Sequence, residues 1–387
     1  MKKSSLRQSN IFLFVVVSFF LLTGCLSNVG KPEGTPVKME YSRLLDIVDC
    51  NGYRLVTVND PWKEGAVLHR YALVNTKDAE STNILWEKHP SLPQDVTVIE
   101  VPLRRLCVST SVHTALMEKI GALGQVASIC ESKYILNPAV QAQIKKGRIK
   151  DVGSGLNPSV EMIVQQRTDA LLMSPFEGAS YGLLEKTGIP IVECADYMET
   201  SALGRAEWMK FYGMLVGREA EANALFEEVR NNYNSLKALA GQEKKHPKLL
   251  ADMLSGNTWY MPGGASCYGT LYKDAGADYS IASDKASGSQ PLSQESVLMG
   301  GRDADVWIIK YSRPQDFTYA SLLQENTLYK EFAPFRQHHI YGCNALLTPF
   351  YEEVPFRPDI LLKDIIWILY PHLLPDYQPV YYLPLAQ

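Results

Sequence analysis

The chain has 387 residues, a formal net charge of −4 and 46% hydrophobic residues, with 38 Lys and Arg against 42 Asp and Glu. A chain of this length exceeds the usual size of a single hydrophobic core, so we expect two lobes. The slightly acidic balance offers no basic stripe that could neutralise phosphates, which argues against nucleic acid as a partner.

The N-terminus has the pattern of a lipoprotein signal peptide. Three basic residues precede an apolar run over 11–22, and Leu22-Thr23-Gly24-Cys25 closes the segment. A transmembrane anchor is the weaker interpretation, because spanning a membrane takes about 20 apolar residues. We therefore predict a signal peptide over 1–24, lipidation at Cys25 and a body tethered in the cell envelope, on the periplasmic side of a membrane.

Six cysteines follow the predicted lipidation site, and none forms a C-x-x-C pair. They are Cys50, Cys107, Cys130, Cys194, Cys267 and Cys343. Their spacing argues against a zinc knuckle or a thioredoxin-like site. Several lie in apolar, strand-like runs where a buried free thiol is favoured, and any disulfide pairing stays open.

The rest of the chain divides into segments that predict different secondary structure. Residues 25–36 are rich in turn formers and predict a tether. Residues 37–99 read as β-strands, with Asn51-Gly52 as a hairpin signal between apolar runs. Strands and helices alternate over 100–199 and again over 242–387, which is typical of mainly parallel sheets.

Residues 200–241 interrupt that alternation. This segment contains no proline, is rich in Ala, Glu, Leu and Arg, and has apolar residues at helical intervals. It predicts one long α-helix, which Gly213 and Gly217 weaken without forbidding. The fold class we expect is α/β, with two similar lobes joined by this helix and a ligand cleft between them.

Two distant segments repeat one pattern, once in each predicted lobe. Ser159 precedes Glu161 by two residues, and an apolar helical stripe leads to the strand at Asp169. Ser293 and Glu295 repeat the arrangement before Asp305, with two more residues between Glu and strand. A glutamate in the first turn after a serine cap is also favoured by the helix dipole and by capping.

The order of these parts resembles a known family, the substrate-binding proteins of ABC importers for vitamin B12, ferric siderophores and haem. The resemblance covers roughly residues 100–370. It rests on the segments Arg105 to His113, Val152-Gly153, Ser159-Val160-Glu161, Asp169 to Leu172, Gly188-Ile189-Pro190, Gly256 to Tyr260, Gly276-Ala277, Ser293-Gln294-Glu295 and Arg357-Pro358.

The resemblance implies two α/β lobes joined by one long helix, capture of a metal chelate, and an ABC importer permease as partner. It also implies that Glu161 and Glu295 dock onto arginines of that permease. Residues 37–99 have more strand than the family leads us to expect.

Loops at the carboxyl ends of the strands should line the cleft. The candidates in the first lobe are Ser109, Thr110, Ser111, His113, Ser174, Phe176 and Glu177. Those in the second lobe are Trp259, Tyr260, Tyr268, Tyr311 and Arg313. A large planar ligand needs aromatic faces and a few polar anchors, which these residue types supply.

No cofactor or metal site is predicted. His113 begins a helix, where a capping or solvated histidine is more common than a haem ligand. The neighbours His338 and His339 would point apart on a helix or strand. The sequence also has no G-x-S-x-G, P-loop or H-E-x-x-H motif, so we expect a binding protein and not an enzyme. Two alternatives remain, an extracytoplasmic hydrolase using Ser109 and His113 and a purely structural lipoprotein.

Overall fold

A computed structural model describes residues 34–75, 87, 92–93, 95–178 and 180–387. The predicted signal peptide, Cys25 and the first part of the predicted tether lie outside these residues. Within the described part of the chain, no helix combines the length and the apolar character that crossing a membrane requires.

The first described unit is a five-stranded sheet with the order β1-β2-β3-β4-β5, which we call the N-terminal sheet. Its strands are β1 (Gly34–Val37), β2 (Leu45–Cys50), β3 (Tyr53–Asn59), β4 (Val67–Asn75) and β5 (Val96–Val101). Neighbours are antiparallel except β4 and β5. Asn51-Gly52 forms the predicted hairpin turn, in which Gly52 takes a φ of 88° that glycine adopts readily. Strand β1 begins inside the range predicted as tether.

The N-terminal lobe is built on a parallel sheet with the order β12-β11-β6-β7-β8. Its strands are β6 (Leu106–Val108), β7 (Val126–Ile129), β8 (Lys150–Asp151), β11 (Ala170–Met173) and β12 (Ile191–Glu193). A small hairpin and three helices complete it: β9 (Gly153–Ser154), β10 (Asn157–Pro158), α1 (Ser111–Lys119), α2 (Pro138–Lys145) and α3 (Val160–Gln165). Strands β6, β7 and β11 are buried along their whole length, as expected where a parallel sheet is covered on both faces.

The range predicted as one long helix, 200–241, contains three helices. They are α4 (Ala202–Glu207), α5 (Met209–Val216) and α6 (Glu219–Ala240). The prediction of a single helix is wrong because Gly217, with a φ of 65°, turns the chain out of helical geometry at the end of α5. Helix α6 has 22 residues and is about 33 Å long at about 1.5 Å per residue.

The C-terminal lobe has a main sheet with the order β16-β13-β18-β19-β20. Its strands are β13 (Lys248–Ala251), β16 (Asp278–Tyr279), β18 (Val306–Tyr311), β19 (Ile340–Asn344) and β20 (Leu383–Pro384), of which only β20 runs antiparallel to its neighbour. A smaller antiparallel sheet consists of β14 (Leu254–Ser255), β15 (Thr258–Pro262) and β17 (Ser289–Leu292). The helices are α7 (Cys267–Asp274), α8 (Gln294–Gly301), α9 (Tyr319–Glu325), α10 (Ala333–Arg336), α11 (Phe350–Glu353) and α12 (Pro358–Leu369).

The two lobes share one topology. The order β12-β11-β6-β7 in the first lobe matches β19-β18-β13-β16 in the second. Asp169 accepts hydrogen bonds from the N–H groups of Arg104 and Arg105 at 2.7 and 2.9 Å, just before β6. Asp305 likewise accepts one from Lys248 at 2.8 Å, at the start of β13. The repeat seen in the sequence is therefore structural, and the expected α/β fold of two similar lobes is confirmed.

The N-terminal sheet is fastened to the helices between the lobes by two buried carboxylates. Glu207 accepts hydrogen bonds from the N–H groups of residues 40–42 at 2.7 to 2.9 Å, and its charge is balanced by Lys210 at 2.8 Å. Glu199 accepts from the N–H groups of residues 43–44 at 3.1 Å. The sheet also meets the first lobe at Tyr71, whose hydroxyl donates to the carbonyl of Ile191 at 3.0 Å. The segment 38–44 is thereby fixed to the start of the interlobe helices.

Candidate functional site

The carboxyl edges of the two parallel sheets face each other. Residues 136–137 follow β7 at this edge of the first lobe, and α11 follows β19 at the same edge of the second. The carboxylate of Glu352 in α11 accepts hydrogen bonds from the N–H groups of Leu136 and Asn137, the latter at 3.1 Å. Ligands of open α/β sheets bind at this edge, so the space between the lobes is the candidate site.

A cluster of charged and aromatic side chains lies at this edge. It consists of Arg205, Asp252, Tyr268, Lys310 and Tyr351, which we call the cleft cluster. Asp252 directly follows β13, Lys310 is the fifth residue of β18, and Arg205 belongs to α4. Asp252 takes a φ of 59°, a left-handed conformation that aspartate tolerates better than most residues.

Lys310 has an aromatic enclosure and one carboxylate partner. Its Nζ lies 5.1, 5.3 and 5.9 Å from the ring centroids of Tyr268, Phe350 and Tyr351, and 3.8 Å from Asp252. It makes no hydrogen bond to another described residue, and its side chain is 18% exposed. Burial alone would lower the pKa of Lys310, but the Asp252 carboxylate raises it above the ordinary value. The ammonium therefore stays charged with its N–H groups free.

Arg205 also has unused donors. Its Nε donates to Asp196 at 3.1 Å, whereas its two terminal amino groups have no hydrogen-bond acceptor among the described residues. The side chain is 18% exposed. Burial disfavours the guanidinium charge, but Asp196 and then Tyr268 raise the pKa of Arg205 above its ordinary value. Arg205 is thus bound to the buried carboxylate of Asp196 and lies near enough to Tyr268 for that residue to affect its pKa.

His113 lies behind Arg205 in a buried network. Its Nε2 is 2.8 Å from Asp196, and its Nδ1 is 2.6 Å from the hydroxyl of Thr110. Tyr212 also donates to Asp196, at 2.8 Å. Burial opposes the charge of His113, but Cys194 and Asp196 raise its pKa to about 10. His113 is 2% exposed, so the prediction that it contacts ligand is wrong, because Asp196 draws the ring into the core.

The three hydroxyl residues predicted beside His113 remain partly accessible. Ser109, Thr110 and Ser111 are half-buried at the carboxyl end of β6. Thr110 is the N-cap of α1, where its side chain accepts the N–H of His113. The hydrolase alternative lacks geometric support, since the described hydrogen bonds of the His113 ring go to Thr110, Asp196 and Tyr212 and none goes to Ser109.

The loop after β11 presents apolar surface. Phe176 is 51% exposed, and Glu177 beside it is exposed. Phe176 lines a cavity of about 220 Å³ together with Leu156 and Leu183, which are themselves largely exposed. Ser174, between β11 and this loop, also lines it. These residues belong to the tip of the first lobe, and no described contact joins them to the cleft cluster.

The paired aromatics on β15 point in opposite directions. Trp259 is fully buried, donates from its Nε1 to the carbonyl of Ala251 at 3.0 Å, and stacks on Trp307 at 5.7 Å. Tyr260 faces outward and is 49% exposed. The prediction that Trp259 contacts ligand is therefore wrong, because side chains alternate between the two faces of a strand and Trp259 is on the core side.

Tyr268 and Tyr311 have different surroundings. Tyr268 on α7 belongs to the cleft cluster, as its contact with Lys310 shows. The hydroxyl of Tyr311 accepts the N–H of Phe317 at 3.1 Å, and its ring packs edge to face on that residue. Arg313 pairs with Glu325 on the surface. Tyr311 and Arg313 thus stabilise the loop after β18, and no described contact links them to the cluster.

Glu161 and Glu295 occupy equivalent helix positions. Ser159 is the N-cap of α3 and accepts the N–H of Met162, and Ser293 is the N-cap of α8 and accepts the N–H of Ser296. Each glutamate is the second residue of its helix and is exposed. Both helices lead back to the amino ends of strands, so both glutamates lie at the carboxyl edge of their sheets.

Sequence reasoning missed four members of the cleft cluster. Arg205, Asp252 and Tyr351 carry no motif. Lys310 has a weak signal, since it is a charge directly after the apolar run Val306 to Ile309. Among the described residues, no group of three or more His, Cys, Asp or Glu side chains could hold a metal ion.

Comparisons with known proteins agree with this architecture. A family described as periplasmic binding protein matches residues 108–346, more than half of the chain. A Methanocaldococcus jannaschii protein named an uncharacterized lipoprotein is 26% identical over 354 residues, covering 86% of this chain and 82% of that protein.

Two solved structures are similar to the fold. A possible iron-binding, periplasmic solute-binding protein of Staphylococcus epidermidis has 18% identity and a TM-score of 0.55, over 70% of this chain and 99% of that chain. The S. aureus protein IsdE, complexed with heme, has 18% identity and a TM-score of 0.53, over 69% of this chain and 98% of that chain. At these identities the likeness establishes the fold.

Proposed function

Since the chain belongs to the periplasmic binding protein family, we propose that it is a lipid-anchored solute-binding protein that captures a metal chelate and delivers it to an ABC importer. Proteins of this family bind solutes and are not enzymes, which removes the hydrolase alternative. A purely structural role would leave the cleft cluster without a purpose.

One observation carries the proposal: the two carboxyl edges face each other and bear aromatic rings beside cations with free N–H groups. Lys310 and Arg205 are both partly exposed, and Tyr351 is 50% exposed. Aromatic faces together with a few polar anchors suit a large, partly planar ligand. A ferric siderophore, haem and a cobalamin are the chelates that the resemblance implies.

The test is a binding screen on the purified protein. Haem, a ferric trihydroxamate chelate, ferric citrate and cobalamin are each incubated with it, separated from free chelate by gel filtration, and measured by visible absorbance. We expect at least one to co-elute at one chelate per protein, with a Kd of about 1 μM or tighter, as calorimetry can verify. Failure of all four to bind would contradict the proposal.

Lipid anchoring is supported by the basic, apolar and small-residue order that ends at Cys25 and by the M. jannaschii relative, which is named a lipoprotein. Cys25→Ala should yield an uncleaved or soluble species, because the thiol that receives the lipid is gone. Fractionation and mass spectrometry of the mature protein measure this. A membrane-bound Cys25→Ala protein of unchanged mature mass would contradict lipidation.

Docking onto the permease is proposed for Glu161 and Glu295. Their matched positions place one exposed carboxylate on each lobe at the edge that also opens the cleft. Exposed ion pairs contribute only about 0.2 to 1 kcal/mol each, which suits a partner that must dissociate after every delivery.

A further inference from the structure

The cleft cluster and the network behind it carry more positive than negative charge. Arg205, Lys310 and His113 are cations, the last because its pKa is raised to about 10. Their two carboxylate partners are Asp196 and Asp252. Counting these five groups, the net charge near pH 7 is at least +1, and it is held in a partly buried place where charge interactions are strong.

The excess charge is directed at the cleft. Asp196 is fully buried and already accepts three hydrogen bonds, from His113, Tyr212 and Arg205. The remaining donors are the terminal amino groups of Arg205 and the ammonium of Lys310, and neither has a hydrogen-bond acceptor among the described residues. Both side chains are 18% exposed, so these N–H groups are accessible from the cleft and are available to a bound acceptor that the protein chain does not supply.

Tyr268 connects the two cations. Its ring lies under Lys310 at 5.1 Å. Arg205 and Lys310 both act on its phenol, each lowering a pKa that burial raises more strongly. Tyr268 is in α7, which packs against α4. Thr270, in the same helix, has its hydroxyl 3.2 Å from the carbonyl of Thr200, two residues before α4 begins. The contact of α4 with α7 thus brings the helix of Arg205 against the helix of Tyr268, the ring of which lies under Lys310.

We infer that Arg205 and Lys310 form an anion subsite that selects chelates bearing a free carboxylate. The inference rests on the proposed function and names the ligand class for that same site. A guanidinium and an ammonium with free N–H groups donate charge-assisted hydrogen bonds to a carboxylate. The rings of Tyr268 and Tyr351 cover the apolar part of the ligand, so a neutral chelate would leave both cations without acceptors.

The experiment uses chelates matched in shape and different in charge. Haem is compared with its dimethyl ester, and a ferric trihydroxamate chelate carrying a free carboxylate is compared with its methyl ester, all by calorimetry on the wild-type protein. We expect the carboxylate form to bind about tenfold or more tightly in at least one pair. Raising the salt concentration should weaken only that form.

Substitutions then locate the effect. Lys310→Met and Arg205→Met should each reduce the affinity for the carboxylate form about tenfold and leave the ester within about threefold. Lys310→Arg should retain most of the preference because it keeps the charge. Lys273→Met, an exposed lysine on the same helix as Tyr268, is the control, and circular dichroism checks that each variant is folded.

The outcomes separate the two proposals. Equal affinity for acid and ester in both pairs, or an equal loss for both in the variants, overturns the anion subsite while leaving chelate binding intact. If none of the four chelates binds, chelate capture fails and the subsite fails with it. If a variant does not fold, the wild-type comparison of acid with ester still decides the inference.

Discussion

At the scale of single residues, neighbours in the sequence differ sharply in what they do. Trp259 and Tyr260 are adjacent, yet one is buried in an aromatic core with Trp307, Tyr329 and Phe332 and the other is half-exposed. The loop composition around them suggested that both rings face the cleft. Only the pleat of β15 decides which ring is buried and which is exposed, and its register on β17 is not visible in a single sequence.

Replacing Trp259 should therefore affect stability. Trp259→Ala removes a buried indole and leaves its partner carbonyl at Ala251 unpaired, so we expect a loss of about 3 to 5 kcal/mol in the free energy of unfolding. Urea denaturation measures it. Tyr260→Ala is the matched control and should change the free energy by less than about 1 kcal/mol. Equal effects of the two variants would contradict the core assignment.

His113 should give the protein a stability that depends on pH. Its pKa in the folded protein is raised to about 10, against about 6.5 for an unfolded histidine. The folded state thus holds the proton more tightly, so this contribution is complete below about pH 6.5 and is lost as pH rises toward 10. The difference in unfolding free energy between wild type and His113→Gln should shrink over that window. His372→Gln, a largely exposed histidine, is the control, and a difference that stays constant with pH would refute the prediction.

At the scale of elements, the helices between the lobes show what sequence can and cannot predict. The strands, the repeated capped helices and the terminal helix follow from periodicity and caps, which are local signals. The packing of α5 against α6 depends on a close approach that only the folded chain reveals. A Cβ on Gly213 would lie 2.5 Å from the Cβ of Ala222 and 2.9 Å from the carbonyl of Arg218.

Gly213 is thus required for packing, although its sequence signal is only a weakened helix. Gly213→Ala should destabilise the protein by about 1 to 3 kcal/mol because the two helices must separate. Gly300→Ala in α8 is the matched control, since a Cβ there meets no atom within 4 Å, and the change should be neutral or stabilising by up to about 1 kcal/mol. Thermal unfolding of both variants measures the difference. A Gly213→Ala protein as stable as Gly300→Ala would show that α5 and α6 are not closely packed.

The candidate site illustrates the same limit. Members of the cleft cluster come from α4, α7, β18, α11 and the residue after β13, and bringing them together depends partly on the packing of α4 against α7. Sequence could predict the edge of the sheet at which the candidate site lies, because topology fixes it. It could not identify Arg205 or Lys310, because neither lies in a loop or a motif.

At the scale of the whole molecule, the two exposed glutamates provide a test of docking. Reversing both Glu161 and Glu295 to Arg places like charges opposite the arginines proposed on the permease, which costs several kcal/mol. Ligand affinity of the isolated protein should stay within about threefold of wild type, whereas ligand-stimulated ATP hydrolysis by the reconstituted importer should fall about tenfold or more. Asp303→Arg, an exposed carboxylate just beyond the other end of α8, is the control. Normal ATP hydrolysis by the double variant would return both residues to a capping role.

The shared topology of the lobes creates an ambiguity of orientation. Because Glu161 and Glu295 hold the same helix position at the same edge, the molecule rotated by half a turn would offer a docking partner nearly the same pair of carboxylates. The N-terminal sheet removes this equivalence, since the hydroxyl of Tyr71 bonds it to β12 of the first lobe. The two ends of the molecule therefore differ in the surface beside each glutamate, and under the proposed docking the rotated molecule would present this sheet to the other side of the permease.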